Sequence, residues 1–315
     1  MRDIIKSIFK KTKILSLSAI LLALFLCGCT PPTAPKESTL QWPKVTATTP
    51  QAAGVVTILS SGRVNTGTDR YLTTKAYSGI LLNNEGFILT SWQVCNFDVT
   101  DGGKTYSGEM TQTYAVLADL YGDDTHYSLT LIDEDEGAGL ALFQLKTKFS
   151  YKTEQGGTKE GFPFVPKFSP YAPQTGNQCY AIGNSLGELL VNNTFFHTSY
   201  QNLKLSVTKG IVSRSEILQD TLPPYTLGSE RCLPATISAP VSPEMVGGGV
   251  FDENGYLMGL VTSKLLSESE GETTMMTRMS LLLPGSWLMH YIDTISEQKE
   301  IVIPYTYAKA QEDAA

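Results

Sequence analysis

Short apolar segments repeat along most of the chain and are separated by turns rich in Gly, Asn and Asp. Their content of β-branched and aromatic residues is typical of strands. Many short strands joined by tight turns favour a barrel or a sandwich. The pattern predicts strands at residues 54–59, 77–82, 87–91, 114–121, 128–132, 140–145, 179–182, 203–212, 235–239, 249–251 and 256–262.

Two hairpin turns and one helix can be predicted from the same pattern. Residues 84–86 and 253–255 place Asn and Gly where a hairpin turn needs a positive φ. Apolar residues at helical spacing follow residues 284–286, and we place Ser286 as the N-cap of this helix. The sequence therefore predicts two β halves followed by a single helix.

The first 28 residues have the order of a secretory signal, with basic residues before the apolar run 14–26. That run is too short to span a bilayer comfortably. It ends in Leu26-Cys27-Gly28-Cys29, which resembles the lipobox of bacterial lipoproteins. The resemblance implies that Cys29 is diacylated and becomes the mature N-terminus, so that the membrane is one partner. An ordinary signal with an incidental cysteine and an uncleaved anchor are the alternatives.

Residues 29–51 are rich in Pro, Thr and small polar residues without a periodic pattern, and we predict a flexible tether there. Removal of residues 1–28 lowers Lys plus Arg from 24 to 19 and Asp plus Glu from 31 to 30, which leaves a net charge of about −11. Binding to nucleic acid needs a basic face, so this charge argues against nucleic acid as a partner.

Three cysteines follow the tether, namely Cys95, Cys179 and Cys232. In an exported protein this odd number leaves at least one thiol unpaired or bonded to another chain. Cys179 lies in an apolar run, which favours a buried thiol at that position. The sequence leaves the disulfide pairing open.

Several segments resemble, in order and spacing, the HtrA/DegP branch of the trypsin-like serine proteases. They are SGILL at 78–82, GFILTSWQV at 86–94, GLALFQL at 139–145, AIGN at 181–184, SVTKGIVS at 206–213, PEMVGG at 243–248 and GYLMGLVT at 255–262. The resemblance covers residues 54 to 295 and implies an all-β fold, a trypsin-like double β-barrel with a C-terminal helix. We expect the first barrel at 52–150, a connection at 151–176, the second barrel at 177–283, the helix at 284–297 and a tail at 298–315.

The resemblance also locates the three catalytic positions, and none of them holds the family's residue. Gln93 stands at the general-base histidine, Gly139 at the aspartate and Val246 at the nucleophilic serine. Glutamine exchanges no proton near neutral pH, glycine has no side chain, and valine has no lone pair. Glu244 replaces a glycine whose N–H would stabilise the oxyanion, and a carboxylate has the wrong charge there. We therefore interpret the chain as a pseudoprotease and not as an enzyme.

A relocated nucleophile is the enzymatic alternative. Ser91, Ser242 and Cys95 lie near the critical loops. A nucleophile also needs an adjacent, oriented base. None of the histidines of the chain lies in a motif that resembles the family's base: His126, His197 and His290.

Residues 133–137 begin like a calcium-binding EF-hand loop. That loop requires Gly at its sixth position and Glu at its twelfth, where this chain has Ala138 and Gln144. We predict a solvated hairpin loop there, with no metal site and no cofactor.

Recognition is the function that remains for this framework without its triad. A trypsin-like cleft holds an extended peptide against a strand edge, which we predict at Val261, Thr262, Ser263 and Lys264. We expect a lipid-anchored binder of a protein or peptide partner in the bacterial cell envelope. Thr30, after the anchor, lacks the aspartate that retains many lipoproteins at the inner membrane, which points to the outer membrane or cell surface.

Two other functions stay open at this point. One is a divergent protease with a relocated nucleophile. The other is a structural lipoprotein that docks into an envelope assembly through its barrel surface. A cleft filled by Val246 and Glu244 would favour this structural function over peptide binding.

Overall fold

The computed structural model describes residues 50–65, 70–101, 103–117, 126–152, 157–185, 188–191, 198–201, 204–216, 224–262 and 280–309. All of them lie in Pro43–Ala315, the second of the two units into which the chain divides. The predicted signal, the predicted lipidation site Cys29 and most of the predicted tether lie outside the described residues, as do His197, Ser263 and Lys264.

The first half of the described chain is a short helix followed by strands. These elements are α1 (Pro50–Ala53), β1 (Val55–Asn65), β2 (Arg70–Leu81), β3 (Phe87–Ser91), β4 (Val99–Asp101), β5 (Lys104–Tyr106), β6 (Gly108–Val116), β7 (His126–Asp135), β8 (Leu140–Leu145), β9 (Ser150–Lys152) and β10 (Thr158–Glu160).

The second half has further strands and ends in a longer helix. These elements are β11 (Gln178–Ser185), β12 (Glu188–Val191), β13 (Thr198–Gln201), β14 (Lys204–Arg214), β15 (Tyr225–Leu227), β16 (Glu230–Cys232), β17 (Ala235–Ile237), β18 (Gly249–Phe251), β19 (Leu257–Thr262), β20 (Ser280–Pro284) and α2 (Gly285–Lys299).

Two closed barrels of six strands each form the body of the protein. The strand order is β1-β2-β3-β8-β7-β6 in the first barrel and β11-β14-β17-β20-β19-β18 in the second. Closure pairs the edge strands with each other, which removes the open edges that a flat sheet would expose. The two barrels and the final helix confirm the predicted double β-barrel.

The two predicted turns are hairpin turns with glycine in the left-handed region. Gly86 has φ 82° and Gly255 has φ 80°, whereas neither Asn84 nor Asn254 has a positive φ. In the first turn the Oδ1 atom of Asn83 accepts hydrogen bonds from the N–H groups of Glu85 (2.9 Å) and Phe87 (3.3 Å). The side chain of Asn83, which precedes the predicted turn residues 84–86, thus orders this turn.

One hydrophobic cluster joins both barrels to α2. It contains Leu140 of the first barrel, Phe251 of the second and Leu288 of the helix, all fully buried. Two side-chain hydrogen bonds attach the helix to the first barrel: Trp287 Nε1 donates to the carbonyl of Ala138 (3.1 Å), and the Tyr291 hydroxyl donates to Asp133 (3.0 Å). The helix therefore holds in place the 137–139 turn, which contains the predicted aspartate position, Gly139.

The predicted N-cap of this helix, Ser286, is wrong by two residues. The helix begins at Gly285, its N-cap is Pro284 in an extended conformation, and Ser286 lies inside the first turn. Pro284 still belongs to β20, where it pairs with Gly259. The strand therefore passes directly into the helix without a polar capping residue. No helix among the described residues is long and apolar enough to cross a bilayer.

The connection between the barrels forms part of a small side sheet. Phe168 lies in parallel between Leu257 of β19 and Tyr307 near the end of the described chain. The N–H of Phe168 donates to the carbonyl of Thr306 (2.8 Å), and the carbonyl of Phe168 accepts from the N–H of Ala308 (2.9 Å). Residues 301–309, which we call the C-terminal strap, are therefore bonded to the second barrel through the connection.

Candidate functional site

Gln93, at the predicted base position, lies in a 3-10 turn (Trp92–Val94) directly after β3. The backbone N–H of Gln93 donates to Ser91 Oγ (3.4 Å), which caps this turn. The side chain of Gln93 is half-buried. The turn at Trp92–Val94 is therefore ordered, although Gln93 has no titratable group.

Gly139, at the predicted aspartate position, has a backbone that does not suit an aspartate. Its φ is 73°, in the left-handed region that only glycine adopts readily. Its carbonyl accepts the N–H of Trp92 (3.0 Å), and its own N–H donates to the carbonyl of Glu136 (3.1 Å). These bonds fix the turn, so that the backbone cannot relax around a larger residue without breaking them.

The space beside Gly139 is filled by Tyr225 of β15. A Cβ atom on Gly139 would lie 2.6 Å from Cδ1 of Tyr225 and closer still to its Cε1. The ring of Tyr225 is buried, and its hydroxyl is 2.8 Å from Oγ1 of Thr262, which is also buried. The N–H of Thr226 donates to the carbonyl of Gly137 (2.8 Å), which holds β15 against this turn. A phenol ring therefore occupies the place where an aspartate side chain would project.

Val246, at the predicted nucleophile position, is buried, with 2% of its surface exposed. It belongs to the hydrophobic cluster of the second barrel, together with Met245 and Val250. Its N–H donates to the carbonyl of Pro243 (3.2 Å), and its carbonyl accepts the N–H of Ser78 (2.9 Å). The position therefore packs into the barrel and does not present a side chain to solvent.

In the predicted oxyanion site, the same loop occupies the N–H group of Val246. Residues Pro243–Met245 form a 3-10 turn in which the Val246 N–H bonds the Pro243 carbonyl. In an active trypsin-like site the N–H of the nucleophile is one of the two donors to the oxyanion. Here that donor already has an acceptor inside the loop.

Ser78 joins the loop at 243–248 to the first barrel. Its hydroxyl donates to the carbonyl of Glu244 (2.8 Å) and accepts the N–H of Asn184 (2.7 Å), and it is fully buried. Its carbonyl accepts from Thr90 Oγ1 (2.6 Å). Nothing in the sequence marked Ser78 or Tyr225 as site residues, because each acts through segments that are distant along the chain.

The nearby candidates for a relocated nucleophile have no base beside them. Ser91 Oγ is buried and bonded to the Gln93 N–H, and Ser242 Oγ is buried with no hydrogen-bond partner among the described residues. Both described histidines, His126 and His290, are exposed and lie on β7 and α2. Neither makes a hydrogen bond to a serine or cysteine in the part of the chain that the structure describes.

All three body cysteines are free thiols, so no disulfide joins them. Burial, followed by a hydrogen bond from the thiol to Glu134, raises the pKa of Cys95. Burial raises the pKa of Cys179 to about 11, and burial together with the charge of Glu216 raises that of Cys232 to about 12. A raised pKa keeps a thiol protonated at neutral pH, and the thiolate is the nucleophile. These thiols therefore lack the property that a catalytic cysteine needs.

One further pocket, of about 480 Å³, contains both a thiol and an imidazole. Cys232 and His290 are among the residues that line it, beside the start of α2. The Cys232 sulfur lies 3.7 Å from the carbonyl of Leu233. An imidazolium partner would lower the pKa of the thiol, whereas the pKa of Cys232 is raised. This pair does not have the electrostatics of a catalytic dyad.

The predicted peptide-binding edge needs a correction at Val261. The N–H of Val261 donates to the carbonyl of Gly248 (2.9 Å), and its carbonyl accepts the N–H of Gly247 (2.9 Å). Thr262 pairs with Leu281 of β20 on the other side. Val261 therefore has no free backbone group for a peptide, because the loop 247–248 already occupies its edge. Any open edge must begin after Val261, and Ser263 and Lys264 lie outside the described residues.

Metal binding finds no support in the part of the chain that the structure describes, since no three His, Cys, Asp or Glu side chains gather there. The prediction of a solvated loop at 133–137 is wrong for its first three residues, which end β7 and pair with β8. Asp133 accepts a hydrogen bond from Tyr291 and a salt bridge from Lys299 (3.0 Å).

The comparisons with known proteins give one family and one fold. The trypsin-like peptidase domain family matches residues 77–260, more than half of the chain. The solved structure titled "HtrA-type protease AlgWS227A with decapeptide" is similar, with a TM-score of 0.53 and 18% sequence identity. The match covers 79% of this chain and 65% of that one. No curated protein matches. The two barrels, the final helix and the matched residues together show that this chain belongs to the trypsin-like peptidase domain family.

Proposed function

We propose that this chain is a catalytically inactive trypsin-like lipoprotein of the bacterial cell envelope that binds a protein or peptide partner. The observation that carries the proposal is the state of the three triad positions. They hold Gln93, Gly139 and Val246, and two of them are closed by packing: Tyr225 covers Gly139, and Val246 is buried. The missing chemical groups and the missing space for them both support the absence of catalysis.

Each replacement removes a separate catalytic role. Without a serine no acyl-enzyme forms, and without a histidine no group takes the proton of a nucleophile. The paired N–H of Val246 removes a donor that would stabilise negative charge on the oxyanion. These losses are not additive, because a triad acts as a unit, and the absence of the nucleophile alone is sufficient to stop acyl transfer.

Retention of the framework supports a binding function. Ser78, Thr90 and Asn184 are fully buried, and hydrogen bonds through Ser78 hold the loop of the former nucleophile to the first barrel. The similar HtrA-type protease was solved with a decapeptide. By analogy, we propose a peptide ligand for this chain, bound by strand addition at an exposed edge. In this protein, such a peptide would pair with the edge that begins at Thr262 and continues through Ser263 and Lys264.

A purely structural role is the second candidate, and the burial of the nucleophile loop favours it. Met245 and Val246 are each 2% exposed. A cleft filled in this way leaves less room for a peptide side chain at its centre. The partner would then contact the outer surface of the barrels, as expected of a component of an envelope assembly.

The lipid anchor at Cys29 is part of the proposal. It rests on the order of charge and apolar residues in the first 28 residues and on the Gly-Cys pair that ends the apolar run. A diacylated, palmitate-bearing cysteine followed by a polar tether would hold the barrels near the membrane surface. The absence of the retention aspartate at Thr30 favours the outer membrane or the cell surface.

Binding without cleavage is the expected result when the full-length chain meets a library of fluorescent, unstructured decapeptides. Fluorescence anisotropy should detect a subset of peptides with dissociation constants of about 1–100 μM, a range typical of strand addition without a deep pocket. Mass spectrometry should then recover those peptides intact after prolonged incubation. Cleaved peptides would establish a divergent protease, and the absence of binding to any peptide would favour the structural role.

A further inference from the structure

Among the described residues, one edge of the C-terminal strap is unpaired at Tyr307. Phe168 uses both of its backbone groups to bond Thr306 and Ala308, which places the N–H and carbonyl of Tyr307 on the opposite side of the strap. Among the described residues, neither group of Tyr307 has a hydrogen-bond partner. This edge is therefore unlike the strands of the two barrels, which closure protects.

Exposed aromatic side chains occur on this edge and in the connection. Tyr307 is 56% exposed, and Tyr171, three residues after Phe168, is 58% exposed. The Tyr307 ring lies 5.5 Å from that of Tyr305, which in turn packs edge-on against Phe168. Proteins usually cover or charge a strand edge flanked by exposed apolar residues, because such an edge attracts another strand.

We propose that the C-terminal strap pairs with the strap of a second copy of this chain, antiparallel and about a two-fold axis at Tyr307. Facing residues of an antiparallel hydrogen-bonded pair exchange both N–H···O bonds, so two copies of Tyr307 satisfy all four open groups. The same patch serves both copies, as a closed two-fold dimer requires. The strap thus assembles the protein into a dimer.

Charge and location both favour a second copy as the occupant. In this pairing Lys309 faces the second copy's Tyr305, whose hydroxyl donates to Asp293 at 2.9 Å. A lysine thereby approaches a carboxylate on each side of the axis. The expected lipid anchor would also confine the copies to one membrane surface, which raises their effective concentration.

The test is sedimentation equilibrium of the full-length chain in a density-matched detergent, with Tyr307→Pro as the main variant. Of the backbone groups, proline removes only the N–H that faces outward, and an edge strand tolerates it there. Proline also removes the ring that lies 5.5 Å from Tyr305, and Tyr307→Val matches that loss. We expect a dimer for the wild-type chain and a dimer dissociation constant at least about tenfold higher for Tyr307→Pro. Tyr307→Val keeps the N–H and should change the constant by less than about threefold.

Two controls separate the interface from the fold. Ala308→Pro removes the inward N–H that bonds Phe168, so it should lower the melting temperature, whereas Tyr307→Pro should leave it unchanged. Oxidation of Tyr307→Cys should give a covalent dimer, since facing Cα atoms lie about 5.5 Å apart, within disulfide range. Val302→Cys, which is exposed but far from the axis, should not cross-link.

Three results would overturn the proposal. One is a wild-type chain that stays monomeric up to about 100 μM, a concentration well above the range expected for a specific dimer. Another is a dimer whose dissociation constant Tyr307→Pro leaves unchanged. The third is a failure of Tyr307→Cys to cross-link more than Val302→Cys. If the wild-type chain stays monomeric, a strand of a different protein becomes the alternative occupant of the open edge.

Discussion

Replacement of Gly139 by aspartate, the residue that the catalytic triad would need, is expected to destabilise the protein by about 3–5 kcal/mol. A non-glycine residue at φ 73° is strained, and its Cβ would overlap the ring of Tyr225. The new carboxylate would also be placed against a buried hydrophobic cluster. Urea unfolding of the variant and of the wild-type chain measures the difference.

Gly103→Asp is the matched control for this substitution. Gly103 has nearly the same backbone, with φ 76°, but no atom lies within 4 Å of its Cβ position. Its replacement should cost only about 1 kcal/mol, the strain of the left-handed backbone alone. Adding Tyr225→Ala to Gly139→Asp should recover part of the loss, because the two side chains compete for one space. Equal stabilities of Gly139→Asp and Gly103→Asp would contradict the assignment of Tyr225 to the aspartate space.

Ser78→Ala is expected to lower the free energy of unfolding by about 2–4 kcal/mol. The hydroxyl of Ser78 bonds the carbonyl of Glu244 and the N–H of Asn184, and its removal leaves both backbone groups buried without a partner. The penalty arises from these stranded groups more than from the lost bonds themselves. Thermal or urea unfolding is again the measurement.

Ser60→Ala provides the comparison. Ser60 is as fully buried as Ser78, but its hydroxyl makes only a 3.5 Å contact, with Thr113. Its replacement should cost less than about 1 kcal/mol. If both alanine variants lose the same small amount, Ser78 does not hold the nucleophile loop to the first barrel.

The barrels could be predicted from the sequence because their signals are local. Short strands, glycine turns and family motifs such as GFILTSWQV at 86–94 each lie within a few residues. The same motifs place the triad positions at Gln93, Gly139 and Val246, and this assignment stays a prediction. The structure adds that the backbone of Gly139 suits glycine and that Val246 faces the barrel interior.

The contacts that close the site could not be predicted, because they join distant parts of the chain. Tyr225 lies in a segment without a recognisable motif, and its packing on Gly139 depends on how β15 docks against the first barrel. The error at Val261 has a similar cause. The strand was located correctly, but whether its edge is free depends on the loop 247–248.

The pairing between the connection and the strap also could not be predicted from the sequence. Only a few residues on each side of Phe168 and Tyr307 take part, too few to produce an alternating pattern. Its parallel pairing joins segments that are far apart in the chain. A tail without periodicity was therefore the reasonable prediction for residues 298–315.

On the proposed pseudoprotease assignment, packing residues at the triad positions would favour stability over catalysis. Active sites hold polar groups and open space that weaken a fold, and proteins commonly gain stability when such features are removed. Tyr225 and Val246 are both buried here, where an active enzyme would have a carboxylate and a solvent-facing hydroxyl.

Labelling of the native full-length chain with a fluorophosphonate, which forms a covalent bond with activated serines, tests most directly whether these barrels hold a working nucleophile. We predict no adduct on any serine above the level of the heat-unfolded chain, because none of Ser78, Ser91 and Ser242 has a histidine beside it among the described residues. A stoichiometric adduct on a single serine, lost on unfolding, would contradict the pseudoprotease assignment and establish a relocated active site.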